Sequence, residues 1–196
     1  MSMPTTDNLP GFDGIIFDLD GTLVDSRLDF AAIRAHLNCP PDVGVLEFID
    51  TLPASEQAAA HAVVLEYERA GAERAVWMPG ARECLARLEK NGIPAAILTR
   101  NARQIARLTL DRLQGAIGCL LAREDAPPKP APEGLLMIAQ TWQLAPARLA
   151  YVGDFKYDLL AAQNAGMCGI YYDPNHTGLH SHLADVVIHH FDQLSA

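Results

Sequence analysis

Short, near-continuous apolar runs alternate with longer amphipathic stretches along most of this chain. Gly14-Ile15-Ile16-Phe17 is long enough for one buried strand. Residues 93–98 have the unbroken apolar character of a strand covered on both faces. Runs at 116–121, 150–152 and 168–172 predict a third, fourth and fifth strand, and 186–188 an edge strand. Helical patterns lie between them. Residues 81–91 put Cys84, Leu85 and Leu88 on one face and stop at Gly92. Asn101 caps a helix that turns Ile105, Leu108 and Leu113 inward and ends at Gly115. Pro132 sits in the first turn of a helix reaching Trp142, and residues 159–164 form another, stopped near Gly166. Strands separated by helices of this length imply right-handed crossovers, so the fold class is α/β, a doubly wound parallel sheet.

The alternation breaks between the first strand and the next core helix. Leu28, Ile33 and Leu37 make a loose helical face that ends at Asn38-Cys39-Pro40-Pro41. Val45-Leu46-Glu47-Phe48-Ile49 is a short apolar segment closed by Leu52-Pro53. Ser55 caps a longer helix through Tyr67, with Glu56 in its first turn and Gly71 as terminator. Residues 27–77 therefore read as a small helical insertion, and 1–26 with 78–196 as the core that holds the sheet.

A chain of 196 residues with 49% apolar content can bury a real core, which argues against disorder. The formal net charge of −9 disfavours nucleic acid and anionic membranes as partners. An anionic substrate would have to be drawn in by local cations. Residues 1–10 lack the apolar centre of a signal peptide, and no apolar run approaches bilayer length. Cys39, Cys84, Cys119 and Cys168 show no C-x-x-C spacing, and Cys119 and Cys168 read as small core residues. A reducing cytoplasm is the expected compartment. Neither G-x-x-x-x-G-K-[ST] nor G-x-G-x-x-G occurs, which takes support from nucleotide-cofactor readings.

In a doubly wound sheet, ligands bind beyond the carboxyl ends of the strands. The residues following each predicted strand are informative. The first strand delivers Asp18 and Asp20, two acids at i and i+2 that cannot both point into the core unpaired. The second delivers Thr99, then Arg100 and Asn101. Beyond the third, Lys129 stands in Pro127-Pro128-Lys129-Pro130, where fixed φ angles stiffen the segment. The fourth delivers Gly153-Asp154, with Asp158 four residues on. Singly, Thr99 or Asp154 reads as a helix cap and Lys129 as a solvated loop charge. Their joint placement at successive strand ends is not what independent surface residues would give.

The string Phe17-Asp18-Leu19-Asp20-Gly21-Thr22-Leu23-Val24-Asp25-Ser26 resembles the first signature of the haloacid dehalogenase-like hydrolases, and its continuation the phosphoglycolate phosphatase-like branch. Thr99, Lys129 and Gly153-Asp154 with Asp158 are similar to that family's remaining motifs. The resemblance implies a Rossmann-like core, a small helical cap at 27–77 and a Mg²⁺-dependent phosphomonoesterase acting on a small phosphorylated metabolite. It implies Asp18 as nucleophile, forming an aspartyl-phosphate, and Asp20 as general acid and then base. Mg²⁺ would be held by Asp18, the backbone carbonyl of Asp20 and Asp154, with Asp158 behind them or holding Lys129. Lys129, Thr99 and the backbone N–H groups of Leu19 and Asp20 would receive the phosphoryl oxygens, with Arg100 and Asn101 beside them. Two departures reshape the pocket: Phe155 follows the motif-four aspartate, where many relatives have a small residue, and bulky Arg100 follows Thr99.

Arg27, Arg34 and His36 are candidate substrate contacts, with solvated-surface roles preferred for each. His176, His180, His182, His189 and His190 gather late, and an exposed loop plus edge strand explains them better than a second metal site. A β-phosphoglucomutase-like mutase shares the core residues. From a different class, a phosphate-sensing or scaffold protein would keep the fold without turnover. Oligomeric state is left open.

Overall fold

A computed structural model describes residues 11–115 and 117–194. The reading of residues 1–10 lies outside the described residues, as does Ala116 at the start of the expected third strand. The main sheet contains β1 (Gly14–Phe17), β4 (Ala95–Leu98), β5 (Cys119–Leu121), β6 (Leu149–Gly153), β7 (Cys168–Tyr172) and β8 (Val186–Ile188). It is a six-stranded sheet in the order β5-β4-β1-β6-β7-β8, and every pairing is parallel. The chain runs outward from β1 to β4 and β5, then returns to place β6 on the other side of β1. The order therefore reverses at β1, and the loops after β1, β4 and β6 meet above that point.

The strands read as continuous apolar runs because both faces are covered. Ile15, Phe17, Ile97, Ala150, Val152, Ile170 and Tyr172 point to one core with Cys84, Leu88, Leu110 and Phe191. These come from α4 (Ala81–Lys90), α5 (Arg103–Arg112) and a terminal 3-10 turn. Ile16, Ala96, Leu98, Leu149 and Tyr151 point the other way, onto Leu135 and Ile138 of α6 (Glu133–Trp142) and Ala161, Ala162 and Ala165 of α7 (Lys156–Ala165). The period of two between neighbouring residues is the pleat itself.

Between the first and second sheet strands lie α1 (Phe30–Leu37), α2 (Val45–Thr51) and α3 (Ala54–Arg74). Asp29 caps α1 by accepting from the Ala32 N–H at 2.9 Å, and Asn38 closes it in the left-handed conformation. Ile33, Val45, Ile49, Ala60 and Val64 give these helices a cluster of their own, while Ala72 packs on Ala102 and Ile105 at the α5 seam. Two short strands lead out to the helices and back: β2 (Val24–Asp25) and β3 (Val76–Trp77) pair antiparallel.

Several elements differ from the pattern-based expectation. Ser55 is not the cap of α3, which starts one residue earlier after Pro53 and has no side-chain cap bond. Gly71 does not terminate α3. The helix continues to Arg74, and a Cβ at Gly71 would stand 3.3 Å from the Ser26 carbonyl, so the glycine permits a close approach. Asn101 caps nothing, since α5 begins at Arg103 with Ala102 at its N-cap. Pro132 falls just ahead of α6, as its N-cap residue. Cys84 and Cys39 are the buried cysteines, and Cys119 and Cys168 are half-buried against the core. No helix of the described residues is long and apolar enough to cross a membrane.

Candidate active site

The Asp18 N–H donates to Val152 O at 2.9 Å, so β1 and β6 stay paired until the sheet ends and Asp18 emerges at its edge. The chain then turns on Leu19, whose carbonyl accepts from the N–H groups of Thr22, Leu23 and Val24. Leu19 and Leu23 anchor this turn in the core. Gly21 supplies the φ of +82° that the turn needs, and a Cβ there would meet Asp154 Oδ2 at 2.3 Å. Gly21→Ala is therefore expected to lower the melting temperature and weaken divalent-cation affinity together. Titrating the cation by calorimetry checks this, because a purely conformational penalty would leave affinity unchanged.

Lys129 sits at the centre, with only 5% of its side chain exposed. Its Nζ donates to Asp18 Oδ1 at 2.8 Å, to Asp158 Oδ1 at 2.5 Å and to the Tyr151 hydroxyl at 2.9 Å. The Tyr151 hydroxyl reaches Leu98 O at 3.0 Å and Asp158 Oδ1 at 3.1 Å. Asp158 Oδ2 accepts from the Phe155 N–H at 3.0 Å, so both Asp158 oxygens are engaged. Asp154 Oδ1 accepts from Thr22 Oγ1 at 3.1 Å.

Asp20 Oδ2 accepts from Asn101 Nδ2 at 2.5 Å. Thr99 Oγ1 accepts from the Asn101 N–H at 3.1 Å, and the Thr99 N–H is fixed on Leu121 O at 3.0 Å. Arg100 is held by Glu47 of α2 at 2.5 Å and lies 5.4 Å from the Tyr157 ring centroid. One residue pattern missed the next layer: Glu68 of α3 is buried and pairs with Arg123, while its Oε2 accepts from the Ala102 N–H at 3.4 Å. Arg123 Nε in turn donates to Arg100 O at 2.7 Å. The segment 99–102 is thus gripped from the helical side as well as from the sheet.

Electrostatics follow from this crowding. Burial, and then the neighbouring Asp158 and Asp154, push Asp18 up to about 8 against the pull of Lys129. Burial and Asp158 push Asp154 up to about 7. Burial raises Asp20 as well, opposed by hydrogen bonds from Ser26 and Asn101. Burial tends to discharge Lys129, but Asp158 and Asp18 outweigh it and raise its pKa. Asp18, Asp154 and Asp158 each offer an oxygen within 4.8 Å of the others. With one lysine among three carboxylates, the donor set is hard, oxygen-only and short of positive charge, which fits a divalent cation of the Mg²⁺ type.

The other candidates lie apart from this centre or on its wall. Arg34 is spent on the carbonyls of Pro40 and Val43, at 2.7 and 2.5 Å. Arg27 is exposed beside Asp25, and His36 packs edge-on against Tyr67. Among the late histidines, His176 stacks on His189 at 3.8 Å and His180 meets Phe155 and Tyr171. Among the described residues no metal-ligating cluster forms around them.

An α/β sheet with acids at its switch point and a buried lysine beside them defines a hydrolase class that comparison makes specific. The family model described as haloacid dehalogenase-like hydrolase matches residues 42–166, and the chain belongs to that family. A haloacid dehalogenase-like hydrolase domain-containing protein of Arabidopsis thaliana is 30% identical over 178 residues, covering 85% of this chain and 73% of the relative. The phosphoglycolate phosphatase of Pseudomonas putida is 30% identical over 193 residues, covering 83% of this chain and 70% of that protein. A solved haloacid dehalogenase-like hydrolase from Bacteroides fragilis shares the fold, with a TM-score of 0.79 at 20% identity over 94% of this chain and all of that one. The protein is an enzyme of the phosphatase kind, on the phosphoglycolate phosphatase-like branch.

Proposed function

We propose that the protein hydrolyses a small phosphomonoester in two steps, through an aspartyl-phosphate on Asp18. The observation that carries this reading is the environment of Asp18. Its Oδ1 is held by Lys129, and its carboxyl stands at the sheet edge above the strand reversal. Asp18 attacks phosphorus and Asp20 gives its proton to the leaving alkoxide. Asp20 then takes a proton from the water that cleaves the acyl phosphate. The burial that raises Asp20 favours the protonated form needed for the first step, and the Asn101 bond fixes its direction. Lys129, the Thr99 hydroxyl and the N–H groups of Leu19 and Asp20 receive the phosphoryl oxygens, with Arg100 and Asn101 alongside.

Asp18, Asp154 and the Asp20 carbonyl would hold Mg²⁺, which when bound neutralises charge on the transferring phosphoryl group. Asp158, with both oxygens engaged, holds Lys129. Helices α1–α3, within the 27–77 insertion, act as a lid over the carboxyl edge of the main sheet. A Mg²⁺-replete cytoplasm is the setting this reading expects.

Phosphate release from small phosphomonoesters, abolished by chelator and restored by Mg²⁺, tests the chemistry. No release from any ester with Mg²⁺ present would sink it. The pKa shifts add a second readout. Asp18 and Asp154 are raised from an ordinary 3.8, so the metal-free fold holds extra protons and loses stability as pH climbs from about 4 to about 8. A cation binds the deprotonated acids and releases those protons. The rise in melting temperature caused by Mg²⁺ should therefore be several times larger at pH 8 than at pH 6. A shift independent of pH would place the cation elsewhere.

A further inference from the structure

The cavity above the acids measures about 890 Å³, far more than a two-carbon leaving group fills. Its outer wall is aromatic. Phe30 at the start of α1 and Phe155 at the start of α7 are 56% and 45% exposed, and both line it together with Tyr157. Phe155 meets Tyr157 edge-on, with ring centroids 5.3 Å apart. Exposed rings at a cavity mouth hold apolar area that a flat, neutral group would remove from water.

Most cations of the same wall already face an acid. Lys129 belongs to the acids of the floor. Arg100 is held by Glu47 and Arg123 by Glu68, while Arg34 is tied through one nitrogen to two neutral backbone carbonyls, which fix its direction. A carboxylate or second phosphate that bound Arg100 or Arg123 would have to displace Glu47 or Glu68 and leave that acid without its partner. Stripping the partner from Glu68, whose side chain is 4% exposed, is the costly direction, and the half-exposed Glu47 adds a smaller cost. The two remaining cations are solvent-exposed: Arg27 stands beside Asp25, and Lys156 carries its ammonium 5.1 Å from the Tyr157 centroid. Screening leaves such charges little to offer.

We propose that the phosphomonoester taken by this site carries a neutral aromatic leaving group, seated on Phe30, Phe155 and Tyr157, and not a small anionic acid. This rests on the phosphomonoesterase reading above and departs from the substrate that the names of the bacterial relatives print. Phe155 and Arg100, the two departures from the family's usual residues, both serve it. Phe155 supplies a ring where a small side chain would leave the wall open, and Arg100 closes the charge on Glu47.

Benzyl phosphate, ethyl phosphate and 2-phosphoglycolate all release a primary alcohol, so their kcat/KM values compare the pocket more than leaving-group reactivity. Benzyl phosphate should exceed both others by about 10- to 100-fold, the effect of burying one phenyl ring. Phe30→Ala and Phe155→Ala should each cut the benzyl-to-ethyl ratio roughly fivefold. Glu47→Gln, which releases Arg100, should raise the phosphoglycolate-to-ethyl ratio about tenfold. The inference falls if wild-type enzyme prefers phosphoglycolate, or if neither ring variant moves the benzyl-to-ethyl ratio. Absence of turnover on all three at millimolar concentration, with Mg²⁺, would instead remove the phosphomonoesterase reading and this inference with it.

Discussion

Asp18→Asn is expected to reduce phosphate release by at least about 10⁴-fold while leaving the fold intact, the size of loss seen when a nucleophile is removed. Asparagine keeps the shape and still accepts from Lys129, but it cannot attack phosphorus. The variant separates chemistry from stability because the native carboxylate is a burden in the metal-free fold. Burial pushes Asp18 up to about 8, so above that pH the folded state carries an ionised group it would prefer to protonate. The substitution removes that burden. The metal-free melting temperature at pH 8.5 should be unchanged or higher than wild type, and the gain from added Mg²⁺ should shrink. Thermal denaturation with and without the cation, beside a phosphate-release assay, reads all three quantities. Retention of more than about a hundredth of wild-type turnover would mean that another group makes the first bond.

The sheet is legible because its physics is local. Ile15, Phe17 and their neighbours alternate between two cores, and a strand buried on both faces reads as an unbroken apolar run. The residues at strand ends are legible for the same reason: once the strands are placed, the parallel topology puts Asp18, Thr99, Lys129 and Asp154 along one edge. What the pattern hides is short or distant. Strands β2 and β3 span two residues each and have no period to detect. Asn101 has the composition of a helix cap, yet Asp20, 81 positions earlier, claims its amide.

Thr22 binds Asp154 across 132 positions, and nothing near either residue announces the other. Two misses left signals. Ala60, Val64, Glu68 and Ala72 follow one another at intervals of four along the buried face of α3, so Glu68 is an acid inside an apolar stripe and must have a partner. That partner, Arg123, is reached by a 55-residue separation. Tyr151 stands in the most buried strand with a hydroxyl that has to be satisfied, which its bonds to Lys129, Leu98 and Asp158 do.

Lys129→Met should cost the metal-free fold about 3–5 kcal/mol at pH 8, the usual penalty for removing one partner from a buried ion pair. Methionine fills most of the space, so the loss is electrostatic. Lys129 faces Asp18 Oδ1, Asp158 Oδ1 and the Tyr151 hydroxyl, and no other cation contacts Asp18 or Asp158 among the described residues. The sign of the pH dependence follows from Asp18. Lys129 lowers its pKa, so without the ammonium the folded value climbs further above 8, away from the unfolded 3.8. The variant is then penalised more at pH 9.5, where wild type ionises Asp18 beside the ammonium and the variant does not, than at pH 6, where the folded Asp18 is protonated in both. Chemical denaturation at the two pH values measures the difference, and an equal loss at both would mean that packing, not charge, explains it. Adding Asp158→Asn to Lys129→Met removes one stranded acid and should recover part of the stability. It should recover none of the turnover, because the phosphoryl oxygens still lack their cation. Restored activity in that double variant would show that Lys129 only neutralises Asp158 and takes no part in holding the phosphoryl group.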